Sequence, residues 1–105
     1  MFEIPLVNFP NQELLITLDG QNCTISVYQR DEYTFLDLIV GQQTIIQGAI
    51  CMPLTPIVQK PANFKGQLFI WDSTSPDNAQ ALARYQGLGT RFKLMYVSES
   101  ELKNA

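Results

Sequence analysis

Apolar and polar residues alternate with a period of two along most of the chain, which places successive side chains on opposite faces of β-strands. Phe2, Ile4 and Leu6 share one parity, Leu14, Ile16 and Leu18 share one in the next segment, and Pro10-Asn11 punctuates the gap. Asp19-Gly20 then separates that segment from Cys23-Thr24-Ile25-Ser26-Val27-Tyr28. Asp-Gly between alternating runs is a strong short-range hairpin signal. Gln29-Arg30-Asp31-Glu32 reads as a polar turn, and the aromatic and branched run Tyr33 to Val40 as a fourth strand ending near Gly41. Thr44 to Met52 is apolar around Gly48, a residue that inside a strand pattern predicts a bulge or bend, so the fifth strand is expected to break there.

Pro53, Pro56 and Pro61 each remove a backbone donor, so the stretch from 53 to 65 reads as an extended loop. Gly66 to Asp72 is apolar on both faces, as expected of a strand covered on both sides or lying at a subunit contact. Ser75-Pro76 offers an N-cap and a first-turn proline, Ala79, Leu82 and Ala83 fall at helical spacing, and Gly87 supplies a stop. At most one short helix is therefore expected, near 76–86. Arg91 to Val97 alternates again, and the polar tail from about 98 to 105 is expected to fray. About seven short strands with close turns predict an all-β, mostly antiparallel domain, a small barrel or a sandwich, spanning 1–105 as one unit.

Composition narrows the function more than the fold. A chain of 105 residues buries roughly two-thirds of its unfolded surface, so a core forms without metal or disulfide staples. Only 16% of residues are charged, against about a quarter in typical domains, and ten glutamines supply much of the polar surface. A weakly charged, amide-rich surface suits permanent contacts. The net charge is −3 and no segment clusters lysine or arginine, which argues against nucleic acid as a partner. No run reaches the ~20 apolar residues of a membrane span, and the N-terminus lacks a secretion pattern. Synthesis in the cytoplasm without a membrane anchor is the expectation.

The chain contains no histidine, which removes the usual triads, zinc sites and imidazole acid–base pairs. Cys23 and Cys51 are expected to be buried thiols. Asp37 and Asp72 lie within or beside apolar strands, where burial could raise a carboxyl pKa, yet a structural role for each is the stronger reading. Gly87-Leu88-Gly89-Thr90 lacks the lysine of a phosphate loop and precedes a strand. Phe69, Trp71, Phe92 and Tyr96 could form a base-stacking platform, but only Arg91 and Lys93 lie near them. No catalytic, cofactor or metal residue is assigned. Within Gly66–Asp72 the aliphatic pair Leu68 and Ile70 is assigned to the core. The aromatic pair Phe69 and Trp71, on the other parity, is the candidate protein interface.

The ordered segments resemble the baseplate plug proteins of contractile-tailed bacteriophages. The resemblance is carried by Ile4-Pro5-Leu6, Phe35-Leu36-Asp37-Leu38, Ile46-Gln47-Gly48-Ala49-Ile50 and Gly66-Gln67-Leu68-Phe69-Ile70-Trp71-Asp72. The closing Leu88-Gly89-Thr90-Arg91-Phe92-Lys93-Leu94-Met95-Tyr96-Val97 is its most specific part. Met52 to Lys65 departs from the family pattern. The resemblance implies a structural, non-enzymatic virion protein at the hub of the tail baseplate, closing or lining the lower end of the tube. Its implied neighbours are other baseplate hub and tail-tube proteins, copies of itself, and the end of the tape-measure protein. Two alternatives come from other classes: a small β-barrel binding module for single-stranded nucleic acid or another protein, and a carboxylate-based enzyme.

Overall fold

The computed structural model describes residues 1–59, 63–73 and 87–103. Among these, seven strands and one helix follow in the order β1 (Phe2–Ile4), β2 (Asn11–Leu18), β3 (Gln21–Arg30), β4 (Tyr33–Val40), β5 (Gln43–Ile50), β6 (Gln67–Asp72), β7 (Phe92–Val97) and α1 (Glu99–Lys103). They make two antiparallel sheets, a four-stranded meander β2-β3-β4-β5 and a three-stranded sheet β1-β7-β6. The arrangement is sandwich-like and does not close into a barrel. The helix expected near 76–86 falls outside the described residues.

The meander is built by tight turns. Asp19 and Gly20 both take left-handed backbone angles, φ 50° and 75°, the geometry of a two-residue hairpin turn that matches strand twist. Leu14 opposes Ile25 and Ile25 opposes Leu38, so one parity from each strand lines the inner face. At β5 the strand does not break at Gly48 as expected. Leu36 pairs with Ala49 and Leu38 with Ile46, so Asp37 faces both Gln47 and Gly48 across a bulge. Gly48 takes φ 71° there, and the strand runs on through Ile50.

The chain returns to the small sheet through the proline segment. That segment lies along β6: Leu54 N–H donates to the Ile70 carbonyl at 2.8 Å and Ile57 N–H to the Leu68 carbonyl at 2.9 Å. Pro53 and Pro56 fall where no donor is needed, and Ile57 and Val58 are buried at 3% and 1% exposure. A stretch that reads as bare loop is thus an irregular edge cover. β1 pairs with β7, joining the two ends of the chain in one sheet. Ile4, Leu94, Leu68 and Ile70 from this sheet join Ile25, Leu36 and Leu38 from the other in one buried core. Close approach also fixes Gly89: at φ 82°, a Cβ there would run into the Leu6 carbonyl.

The polar tail expected to fray is instead ordered as α1 through Lys103. Ser98 and Glu101 form a reciprocal cap, with Glu101 N–H donating to Ser98 Oγ at 3.3 Å and Ser98 N–H to Glu101 Oε1 at 3.0 Å. The Met1 ammonium meets the other oxygen of the same carboxylate.

Candidate functional site

The outer face of the small sheet carries the candidate interface. Parity dictates its content: with Leu68 and Ile70 turned into the core at 0% and 1% exposure, Phe69 and Trp71 must face outward, and both are half-buried. On the central strand Met95 lies opposite Phe69 and Lys93 opposite Trp71. Glu3 of β1 flanks Met95 on the other side, and its carboxylate lies 3.8 Å from Lys93 Nζ. The result is an apolar strip of Phe69, Trp71, Met95 and Val97 with one loose ion pair beside it. What it presents is aromatic, thioether and aliphatic area, the composition enriched at protein contacts.

The base-stacking platform is not assembled. Phe92 and Tyr96 are buried at 3% and 1% exposure on the inner face of β7, opposite to the side that carries Phe69 and Trp71. Tyr96 packs between Phe2 and Phe64, at ring-centroid distances of 5.6 and 6.1 Å. Four aromatics of mixed parity cannot present one surface.

Asp37 and Asp72 stand on different sheets, each engaged in holding backbone or a neighbouring cation. Asp37 Oδ1 accepts from the Gly48 N–H at 2.7 Å and from the Tyr28 hydroxyl at 3.0 Å, so it pins the bulge. Burial, then the Asp37 hydrogen bond, push the Tyr28 phenol up. Asp72 is 1% exposed and is gripped by Arg91, with Nε on Oδ1 at 3.0 Å and Nη2 on Oδ2 at 2.9 Å. That hydrogen-bonded carboxylate raises the Arg91 pKa above its ordinary value. The pair joins the Asp that ends β6 to the Arg of the Leu-Gly-Thr-Arg segment, 19 residues away.

A further node ties the two sheets together. Asp19, at the tip of the β2–β3 hairpin, accepts from the Tyr96 hydroxyl and, at 3.0 Å, from the Glu99 N–H at the start of α1. These two bonds hold its carboxyl below the usual range. Burial and the Asp19 carboxylate push the Tyr96 phenol up. Cys23 and Cys51 are both buried and unpaired; burial pushes the Cys51 thiol up to about 12, which suppresses the thiolate. Among the described residues no group of His, Cys, Asp and Glu could hold a metal ion, and no helix is long and apolar enough to cross a membrane.

Sequence reasoning placed the glutamines on a contact surface, and three of them do something else. Each uses its amide like a short piece of strand, pairing with both the N–H and the carbonyl of one loop residue. Gln12 does so with Val7 at 2.9 and 2.6 Å, Gln21 with Lys65 at 2.9 and 3.1 Å, and Gln67 with Val58 at 2.8 and 2.9 Å. A primary amide carries a donor and an acceptor side by side, which is what a lone backbone unit needs. The signal in the sequence is only glutamine at the start of a strand near a loop, too weak to assign partners.

A family model described as "Cyanophage baseplate Pam3 plug gp18" matches residues 1–99 of the chain. A search among curated proteins finds no match.

Proposed function

The chain belongs to the cyanophage baseplate plug family, and from that premise we propose that it is a structural part of a contractile-tail virion, seated at the baseplate hub and closing or lining the lower end of the tail tube. The match along residues 1–99 carries this reading, because it spans both sheets rather than one motif. The family's name supports neighbours among baseplate proteins, and on this reading they are other hub and tail-tube subunits and further copies of the chain itself. The end of the tape-measure protein, which would reach the same region, is a further neighbour. The site chemistry suits such a part: Asp37, Asp72 and Asp19 hold backbone and side chains in place, and the apolar strip on β6 and β7 offers area for a partner.

The strip supplies the test. Phe69→Ser and Trp71→Ser should leave the domain folded, with a thermal midpoint near that of the unaltered chain, while sharply reducing its incorporation into tail particles. Leu68→Ser, which opens the core, should cost several kcal/mol and unfold it. Aromatic variants that unfold as readily as Leu68→Ser, or that enter particles normally, would remove Phe69 and Trp71 from the interface.

A further inference from the structure

The four sheet edges are not treated alike. Unpaired strand edges invite pairing, and proteins blunt them by shortening, bulging, proline or cover. β1 is only 3 residues long. The outer side of β6 is covered by the proline segment. β5 is bulged at Gly48. Among the described residues β2 has none of these devices: 8 residues, no proline, no glycine, no lysine or arginine, and Glu13 as its one charge.

The ladder shows which of its backbone groups are free. Gln29 N–H donates to the Pro10 carbonyl at 2.9 Å, in register with the β2–β3 pairing. Even-numbered residues of β2 therefore bond to β3, and the N–H and C=O of Glu13, Leu15 and Thr17 point away from it, toward the open edge. Leu15 sits at the middle of that edge with 79% of its surface exposed, the most of any large apolar side chain among the described residues.

We propose that β2 is a pairing edge whose occupant is the β2 strand of a second copy, antiparallel about a two-fold axis at Leu15. The sequence Glu13-Leu14-Leu15-Ile16-Thr17 is self-complementary in that register. Leu15 meets its own copy on the outer face. Glu13 falls opposite Thr17, so no like charges face each other, and the Glu13 carboxylate is already drawn toward Ser26 of β3, 3.3 Å from its Oγ. On the inner face Leu14 pairs with Ile16, both half-buried at the margin of the core, and the two cores become continuous. A closed two-fold contact of this kind uses the edge up and leaves no template for fibres. The inference rests on the edge alone and is independent of the place assigned to the chain in the tail.

The test is the solution mass of the full chain across a concentration series, with backbone hydrogen exchange on the same samples. The account expects mass to rise from 11.9 kDa to twice that value, with the Glu13, Leu15 and Thr17 amides becoming protected as the dimer forms. Leu15→Lys should return the mass to that of a monomer, with the thermal midpoint of the unaltered chain at monomeric dilution, since the side chain is exposed in the monomer. Ile50→Lys, an exposed apolar position on the opposite edge strand, should leave the dimer intact. A chain that stays monomeric throughout, a dimer indifferent to Leu15→Lys, or odd-numbered β2 amides that exchange freely in the dimer would each overturn the proposal.

Discussion

At the scale of single residues the Arg91–Asp72 pair shows how far local reading reaches. Asp72 precedes Ser73-Thr74-Ser75, so in sequence it looks like the start of a turn, and nothing nearby announces a cation 19 residues on. Its structural role was legible; its partner was not, because the pairing depends on β6 and β7 lying side by side. The guanidinium fork matches the carboxylate in two places, while Arg91 remains 45% exposed and the Asp72 side chain fully buried. Arg91→Leu should therefore destabilise the fold, because it leaves the buried Asp72 carboxylate without that cation. Combining it with Asp72→Asn should recover part of that loss in denaturant unfolding. A single variant as stable as the unaltered chain would mean that the pair is incidental.

At the scale of elements, the period-two pattern located the strands because each sheet has one buried face, and alternation is the direct imprint of that. The same rule separated Leu68 and Ile70 from Phe69 and Trp71 before any contact was known. What alternation cannot express is how irregular segments satisfy their backbone. The proline stretch looked like a poorly bonded loop since its hydrogen bonds go to β6 and to the Gln67 amide, both distant in sequence. The helix α1 was missed although Ser98-Glu99-Ser100-Glu101 spells a capping box, because a five-residue polar helix lacks an apolar stripe to mark it. Gln67→Leu keeps the volume and removes the amide, leaving the N–H and carbonyl of buried Val58 without that partner. It should cost about 1–3 kcal/mol and speed proteolysis between residues 54 and 59. Equal stability and equal cleavage would show that the amide merely decorates the segment.

For the whole molecule, groups held away from their ordinary pKa contribute to the pH dependence of stability at both ends. The Glu101 carboxyl, beside the Met1 ammonium and in the Ser98 cap, is held at about 2 against an ordinary 4.5, and Asp19 is lowered as well. Depressed acids contribute stability that is complete above their ordinary pKa and is lost as pH falls toward the folded value, here between 4.5 and about 2. Cys51 works on the other side: its thiol is raised from 9.0 to about 12, so its contribution is complete below pH 9 and is lost as pH climbs toward 12. Thermal midpoints should form a plateau that falls at both ends, with Glu101→Gln making the acid limb shallower and Cys51→Val the alkaline one, where the raised Tyr28 and Tyr96 phenols also act. Unchanged limbs in those variants would assign the pH dependence to other groups.

The alternation and the order of segments together made a β domain of the baseplate plug family legible from the chain alone, while its place among other proteins is set outside the chain. Localising the chain in purified virions of the phage that encodes it, by reconstruction of the tail end at a resolution that separates sheets, tests that place most directly. The account predicts two stacked sheets of four and three strands at the baseplate hub, with the Phe69 and Trp71 face against a neighbouring subunit. A chain absent from the particles, or found away from the baseplate, would contradict it.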